Sequence, residues 1–234
     1  MQLAPLYPIL YRILKPTFND CLWCGSDKQA QVALTFDDGP HPEYTPQLLE
    51  VLDRYGVKVS FFWLGACVSR APDVAKAAYN RGHHIGLHGW DHRNFPTLTQ
   101  AELKQSLEQT QTAIARACDL DLQSVRASIR DVRPPNGLFT PQTLKWLHQW
   151  NYRPVMWSVV PEDWVLPGIE VVASRVLRQV QNGSLIVLHD GVCGGQDVAQ
   201  TTDQILKNLL QQGQTFVTVE QLWQQTKEVK MIGR

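Results

Sequence analysis

The stretch Val32–Pro40 reads VALTFDDGP, and it decides which kind of sheet this chain builds. The run from Val32 to Phe36 is short, apolar and rich in strand-forming residues, so it predicts a buried β-strand. Two carboxylates and a Gly-Pro turn follow it at once. Thr45 to Tyr55 then places leucines at helical spacing, and Gly56 marks the end of that helix. The opening of the domain is therefore predicted to be a β/α unit.

The same alternation continues along the chain. Further strands are predicted near Val57–Leu64, His84–Leu87, Asp131–Pro134, Tyr152–Val159, Ser184–Leu188 and Thr215–Val219. Helices are predicted over Asp73–Arg81, Thr99–Cys118, Thr140–Trp150, Ile169–Gln181, Val198–Gln212 and Val219–Thr226. About seven strands, each followed by a helix, indicate an α/β fold with a parallel sheet and external helices. Periodicity alone leaves open whether the sheet is doubly wound or closed into a barrel.

Length and composition favour one globular domain. The chain has 234 residues, of which 44% are hydrophobic and 19% charged, and no linker or low-complexity tract divides it. Lys plus Arg and Asp plus Glu both number 22, so the chain has no net charge to attract nucleic acid or an anionic membrane, and we expect no nucleic-acid partner. The five cysteines are odd in number and irregularly spaced, which favours free thiols. The Cys21–Cys24 pair is interpreted as structural or as a local disulfide.

The first 30 residues precede the alternating pattern and form a separate N-terminal extension. Residues 3–18 are largely apolar but too short to span a bilayer, and no cleavable signal peptide is evident. We expect this segment to pack on the domain, because Pro5, Pro8 and Pro16 make it a poor amphipathic helix. Peripheral membrane contact through residues 3–18 is the alternative. The sequence thus indicates a cytoplasmic or peripheral membrane protein.

Polar residues gather just beyond the predicted carboxyl ends of the strands, where α/β barrels build their active sites. Asp38, together with His88 and His92 four residues apart, has the two imidazoles and one carboxylate that hold a divalent cation with open positions. Asp37 is a second carboxylate beside the first, and it is placed to act as a general base. The sequence therefore predicts a hydrolytic metal centre. The same ligand types also hold iron in oxygenases, but the neighbouring base favours hydrolysis.

Five ordered motifs carry a resemblance to a known family. They are Thr35–Pro40 (TFDDGP), His88–His92 (HGWDH), Arg133–Gly137 (RPPNG), Asp163-Trp164 and Leu185–Asp190 (LIVLHD). In this order they resemble the polysaccharide deacetylase family, also called the NodB-homology domain or carbohydrate esterase family 4. The resemblance covers roughly residues 30–225. It implies a distorted (β/α)7 barrel in a single domain, with a catalytic domain at 31–226 and a C-terminal tail at 227–234.

The resemblance also implies catalytic roles by position. Asp37 corresponds to the catalytic base, and Asp38, His88 and His92 to the ligands of a divalent metal. That metal is expected to be Zn²⁺, with Co²⁺, Ni²⁺ or Mn²⁺ as alternatives. His189 corresponds to the general acid. Arg133 is expected to orient Asp37, and Asp163 to raise the pKa of His189.

Substrate contacts follow from the same resemblance. Asn136, Trp164 and Leu188 are the expected contacts, with Trp164 and the Val187-Leu188 segment forming a pocket for the acetyl methyl group. Three positions depart from the family pattern. Gly89 stands where Ser or Thr is usual, so a hydrogen bond that steadies the metal site is expected to be missing. Asn136 stands where Tyr is common, and Val160 stands where many members have Asp.

The function implied is the removal of N-acetyl groups from glycans that contain N-acetylglucosamine, such as chitin oligomers or peptidoglycan. The resemblance also implies work at the cell envelope. Removal of O-acetyl groups from xylan and opening of a cyclic amide are alternatives on the same scaffold. A non-catalytic carbohydrate-binding domain is a third. Retention of Asp37, Arg133, Asp163 and His189 argues against it, because a binding module has no need of the base, the acid or their partners.

Overall fold

The computed structural model describes residues 6–232. Residues 1–5 of the predicted extension and residues 233–234 of the predicted tail lie outside the described part. The last helix runs Val219–Ile232, beyond the end at Thr226 that the sequence predicts.

The sheet has seven strands, and all of its recorded pairings are parallel. The strands are β1 (Gln31–Asp37), β2 (Ser60–Trp63), β3 (His84–Leu87), β4 (Asp131–Val132), β5 (Arg153–Pro154), β6 (Leu185–His189) and β7 (Thr215–Phe216). Their order is β5-β4-β3-β2-β1-β6, and β7 pairs with the first residues of β1. An isolated bridge joins Val159, beyond β5, to Ile186 of β6. The sheet is therefore curved toward closure, as the predicted distorted barrel requires.

The helices cover the outside of this sheet. They are α1 (Tyr7–Thr17), α2 (Tyr44–Tyr55), α3 (Gly65–Arg70), α4 (Pro72–Asn80), α5 (Gln100–Ala117), α6 (Leu122–Ser128), α7 (Pro141–Gln149), α8 (Ile169–Gln179), α9 (Val198–Gln211) and α10 (Val219–Ile232). Local sequence sets their ends. Thr99 and Glu102 form a capping box at the start of α5, and Gly56 ends α2 in the left-handed region. Among the described helices, none combines the length and hydropathy needed to cross a bilayer.

The register of the strands determines where polar side chains meet. Asp37 at the end of β1 is level with His189 at the end of β6 and with Phe62 of β2. Leu87 of β3 is level with Val132 of β4, so His88 and Arg133 leave the sheet side by side. The chain therefore brings five predicted motifs to one edge of the sheet, the edge formed by the carboxyl ends of its strands.

Helix α1 corrects one expectation from the sequence. Pro8 and Pro16 do not break the segment, because Pro8 lies in the first turn of the helix and Pro16 in the last, and Pro5 lies outside the described residues. A proline in the first turn removes no N–H that the helix needs, and one in the last turn leaves few residues to disturb. Tyr11, Leu14 and Phe18 pack against the main core, so the predicted packing on the domain is observed, but as a helix.

Candidate active site

A cavity of about 550 Å³ opens at the carboxyl edge of the sheet. Seven of the predicted site residues line it, namely Asp37, Asp38, His88, His92, Asn136, Trp164 and His189. Arg133 and Asp163 lie behind this wall as hydrogen-bond partners of lining residues. The motifs are far apart in sequence, and the fold brings them into one concave site.

Asp38, His88 and His92 form a cluster with the geometry of a metal site. The Oδ1 atom of Asp38 lies 3.4 Å from Nε2 of His88 and 3.3 Å from Nε2 of His92. Ligand atoms held about 2.1 Å from zinc at tetrahedral angles are about 3.4 Å apart, so the spacing fits a shared cation. Asp38 has φ of 72°, a left-handed conformation that Asp adopts more readily than most residues. This turn lets Asp37 and Asp38 serve different purposes although they are adjacent.

The polar atoms of this cluster also fit a cation. Oδ1 of Asp38 is buried and has no hydrogen-bond partner within the described structure, which is costly unless a cation satisfies it. Nδ1 of His88 lies 2.7 Å from the carbonyl oxygen of Arg133, so it donates there and leaves the Nε2 lone pair facing Asp38. Burial lowers the pKa of His92, which favours the neutral, ligating form. The donor set is thus suited to a divalent cation.

Asp37 is held by a buried arginine. Arg133 is fully buried, and its Nη1 donates to Oδ1 of Asp37 at 2.6 Å and to the Thr35 hydroxyl at 2.8 Å. Its Nη2 donates to the carbonyl of Met156 at 2.9 Å, and the guanidinium lies 4.0 Å from the ring centre of Phe62. The other oxygen of Asp37 faces Nε2 of His88 at 4.0 Å. One carboxylate oxygen is therefore fixed by Arg133, and the other faces the metal cluster.

His189 pairs with Asp163 on the other side of the site. Nδ1 of His189 lies 2.8 Å from Oδ1 of Asp163, and the backbone N–H of His189 donates to Oδ2 of the same carboxylate at 2.7 Å. Burial lowers the pKa of His189, but Asp163 outweighs it, with further help from Asp38 and Asp37, and the pKa rises to about 10. The imidazole is therefore protonated at neutral pH, as an acid must be.

Of the three predicted substrate contacts, two line the cavity and one does not. Trp164 lines the cavity and meets the ring of His189 edge to face at 5.1 Å. Asn136 also lines it, with φ of 56° and a side-chain amide that donates to Asn94. Leu188 does not line this cavity. Side chains alternate along a strand, so Val187 faces the cavity while Leu188 is fully buried in the main core. The expectation that Leu188 faces the cavity is therefore wrong, and Val187 is the residue of this pair on the cavity wall.

Further residues complete the cavity wall, and two of them, Tyr7 and Arg70, were not singled out from the sequence. Tyr7 of α1 lines the cavity and contacts Trp157 and Trp164 edge to face, at 5.6 and 6.4 Å between ring centres. No motif marks Tyr7, because it lies before the barrel begins. Arg70, at the end of α3, adds a cation to the cavity wall. Val160 also lines it, so the wall is apolar where the family often has Asp.

Asp190 is a buried carboxylate behind the ligand residues Asp38, His88 and His92. It accepts a hydrogen bond from Thr45, and a side chain on Gly39 would collide with it. Burial raises the pKa of Asp190 to about 7, and the charges of Asp38 and Asp37 act in the same direction. Packing therefore requires the glycine of the Asp-Gly-Pro turn, because only glycine fits against the Asp190 carboxylate. The sequence motif alone does not reveal this reason.

The loop from His88 to His92 is held from outside by helices. The hydroxyl of Ser106 on α5 accepts from the N–H of Trp90 at 2.8 Å, and Thr110 donates to the carbonyl of Gly89 at 2.9 Å. The N–H of Gly65 on α3 also donates to that carbonyl. Gly89 has φ of 84°, which favours glycine. Helix side chains therefore brace the loop at the position where the family usually has Ser or Thr.

A second group of potential ligands, His84, Asp131 and Glu220, lies at the opposite edge of the sheet. Arg153 already donates to both oxygens of Asp131 at 2.8 Å and pairs with Glu220. The guanidinium supplies the positive charge that a metal would bring, so this group is a structural ion-pair network. His84, whose Nε2 lies 2.9 Å from Oδ2 of Asp131, is part of the same network.

Comparison with known proteins, by sequence and by fold, agrees with the family resemblance of the five motifs. Residues 25–155 match the model of the family described as polysaccharide deacetylase. A peptidoglycan-N-acetylglucosamine deacetylase of Bacillus cereus is 33% identical over 207 residues, covering 88% of this chain and 73% of the relative. A chitooligosaccharide deacetylase of Azorhizobium caulinodans is 33% identical over 166 residues, covering 71% and 76%.

Among solved structures, the Bc1960 peptidoglycan N-acetylglucosamine deacetylase superposes with a TM-score of 0.80 at 30% identity, covering 87% of this chain and 92% of the other. The family model spans more than half of the chain, and these relatives extend the match over most of the barrel. The chain is therefore an enzyme of the deacetylase class, and it belongs to the polysaccharide deacetylase family.

Proposed function

We propose that this chain removes the N-acetyl group from N-acetylglucosamine units of a glycan, as a metal-dependent amide hydrolase. The observation that carries the proposal is the arrangement of three groups around one cavity: a ligand cluster, a carboxylate held by Arg133, and an imidazolium held by Asp163. Asp38, His88 and His92 would hold the cation. Zinc fits the ligand types and spacing best, with cobalt, nickel or manganese as alternatives.

A divalent cation held by these three residues would supply Lewis acidity, polarising the acetyl carbonyl and lowering the pKa of the attacking water. Asp37 is the proposed general base. Its free oxygen faces the cluster, so it is positioned to take a proton from the attacking water. Arg133 keeps the carboxylate in one orientation through its short hydrogen bond and is itself fixed by Thr35 and Met156. Arg133 therefore acts as a positioning residue.

His189 is the proposed general acid. It is protonated at neutral pH, and it would give its proton to the departing amine as the carbon–nitrogen bond breaks. Asp163 fixes the ring through Nδ1, which turns Nε2 toward the cavity. A backbone N–H in the loop Arg133–Gly137 would stabilise the negative charge on the acetyl oxygen during attack. The products are acetate and a free amino sugar.

The cavity wall suits an acetylated sugar. Trp164, Trp157, Val160 and Val187 give it apolar surface for the acetyl methyl group and the faces of sugar rings. The relatives reported above are named for peptidoglycan and for chitin oligosaccharides, and both glycans contain N-acetylglucosamine. We therefore propose these glycans as the substrate class and the cell envelope as the place of action.

The test is acetate release from chitin oligomers, peptidoglycan and acetyl-xylan by the full-length protein, with zinc supplied. We expect release from the first two, loss of release on chelation, and recovery when metal is returned. Asp37→Asn should lower kcat by about 10²–10⁴-fold while metal binding persists, since only the base is removed. Asp91→Asn, an exposed neighbour in the metal loop, is the matched control and should keep its activity.

Release from acetyl-xylan alone would favour an O-acetyl esterase instead. Metal binding without release from any of the three glycans would favour a binding domain or a cyclic-amide hydrolase. Equal kcat for Asp37→Asn and the parent would refute the assignment of the base.

A further inference from the structure

Helix α1 exposes an apolar strip that the barrel does not cover. Leu6, Ile9, Leu10 and Ile13 are 44–59% exposed, and they are four of the eleven exposed large apolar side chains in the described structure. At 3.6 residues per turn these four positions fall within an arc of about 100°. Tyr11, Leu14 and Phe18 lie on an adjacent face, about 120° around the helix, and pack on the core. The helix is therefore apolar on two faces, one of which faces solvent.

The charges of α1 all have one sign. Arg12 and Lys15 lie on the helix between its exposed strip and its packed face, and the helix has no acidic residue. Helices of this kind, with an apolar face beside a basic one, lie in the interface of anionic bilayers. Basic residues near such a surface are each attracted by the anionic lipid headgroups.

A cavity of about 480 Å³ adjoins the basic side of α1. Arg12 and Lys15 line it together with Arg178 from the end of α8, against one carboxylate, that of Asp27. The Lys15 amine is held in place there by the Tyr11 hydroxyl at 3.1 Å and the Cys24 thiol at 2.9 Å. The cavity thus presents three cations from two elements on the basic face of α1, with Arg12 nearest to the apolar strip, and clustered cations of this kind bind phosphate groups.

We propose that α1 docks the enzyme on the surface of an anionic phospholipid bilayer. The strip of Leu6, Ile9, Leu10 and Ile13 enters the boundary between headgroups and acyl chains, and the cavity of Arg12, Lys15 and Arg178 takes lipid phosphates. This inference does not depend on the proposed reaction. It also goes beyond the packed extension expected from the sequence, because one face of α1 packs on the barrel while another contacts the bilayer.

Charge complementarity decides between a bilayer and a second copy of the chain. If two copies paired through the strip, Arg12 of each would lie at the border of the interface, and α1 offers no carboxylate in exchange. An anionic bilayer can bury the apolar strip and also pair its phosphates with the basic residues Arg12 and Lys15. Tyr7 lies on the same helix and lines the catalytic cavity, so docking holds the mouth of that cavity close to the bilayer.

The experiment is co-sedimentation of the full-length protein with vesicles of phosphatidylcholine alone and of phosphatidylcholine mixed with phosphatidylglycerol. We expect binding to the mixed vesicles that weakens as salt is raised. The double variant Ile9→Ser/Ile13→Ser should bind roughly tenfold more weakly or worse, because two inserted side chains are lost. Arg12→Gln and Arg178→Gln should each weaken binding roughly fivefold.

The controls are Leu210→Ser, an exposed leucine on α9, and Arg116→Gln, an exposed arginine on α5, and both should bind like the parent. Thermal unfolding and acetate release should be unchanged in all variants, which separates docking from folding and catalysis. The proposal is overturned if the parent ignores both vesicle types, or if Ile9→Ser/Ile13→Ser binds as the parent does. It is also overturned if sedimentation shows a dimer that this double variant dissolves, since the strip would then belong to a second copy.

Discussion

At the scale of single residues, the site depends on carboxylates with different tasks. Asp37, Asp38, Asp163 and Asp190 surround one cavity, and each has a different partner: an arginine, two histidines, one histidine and a threonine. These partners reduce the electrostatic repulsion among the four carboxylates. A cation at Asp38 would relieve the remaining repulsion, which is a second physical reason for the metal site.

The pH dependence of the reaction should follow His189. Its protonated form is the proposed acid, so kcat should fall as the pH rises through the pKa of His189, which Asp163 raises. Asp163→Asn removes that charge and keeps the size, so the alkaline limb of the profile should move to lower pH. The value of kcat near neutral pH should fall by about tenfold or more. The measurement is kcat against pH for parent and variant with metal saturating.

Asp203→Asn is the control for this prediction, because Asp203 is a partly exposed carboxylate of α9 that pairs with Arg54. Its alkaline limb should coincide with that of the parent. An unmoved limb in Asp163→Asn would show that another group sets it, and His189 would lose its assigned role.

The residues found from sequence and those missed differ in a physical way. Asp38, His88 and His92 are recognisable because metal binding needs certain residue types at strand ends, whatever surrounds them. Tyr7 and Trp157 contribute shape to the cavity, and shape depends on packing that no local pattern reports. Leu188 was misplaced because a motif gives a segment, whereas the pleat of the strand decides which of two neighbours faces the cavity.

At the scale of elements, the long helices follow from periodicity and the short ones do not. The helix predicted over Thr99–Cys118 is observed at Gln100–Ala117, and its capping box is visible in the sequence. Helices α3 and α6 have six and seven residues, too few for a periodic pattern to appear. Both exist because tertiary contacts hold them.

The strand predicted over Tyr152–Val159 shows how the curvature of the sheet limits local prediction. Only Arg153–Pro154 pairs with β4 in regular register. Beyond it, Val155 bridges to Leu22 of the N-terminal extension and Val159 bridges to Ile186 of β6. The chain bends at Ser158 and changes partner, and such an exchange is set by the closure of the barrel rather than by the residues themselves.

Helix α5 should contribute to metal affinity without touching the cation. Ser106→Ala removes the acceptor of the Trp90 N–H, so the loop that carries His88 and His92 loses a brace. Outer partners of metal ligands are worth about 10–100-fold in affinity, and we expect the lower end because Ser106 acts on the loop rather than on a ligand. Zinc affinity measured by competition with a chromophoric chelator tests this.

Thr112→Ala on the same helix is the matched control, since its hydroxyl donates only to a carbonyl of its own helix in the described structure. It should bind zinc like the parent. Equal zinc affinity in Ser106→Ala would mean that Gly65 and Thr110 alone hold the loop.

At the scale of the whole molecule, the two edges of the sheet have different roles. One carries the reactive groups, and the other carries an ion-pair network that stabilises the fold. The reactive groups lie at the carboxyl ends of the strands, as in other α/β barrels. At the opposite edge, Arg153 of β5 joins Asp131 of β4 to Glu220 of α10, and His84 of β3 and Trp223 also contact Asp131. This network fastens the last helix across the base of the barrel.

Breaking the basal network should therefore lower stability and leave the chemistry alone. Asp131 is fully buried, so Arg153→Met leaves its carboxylate without the guanidinium that holds both oxygens. Removing one partner of a buried pair costs about 3–5 kcal/mol in the free energy of unfolding. Arg54→Met breaks an exposed pair with Asp203 and should cost at most about 1 kcal/mol. Urea unfolding gives both values, and kcat and zinc affinity at a temperature where each variant is folded should match the parent. A stable Arg153→Met variant with impaired turnover would contradict the separation, because it would couple the base of the barrel to the catalytic edge.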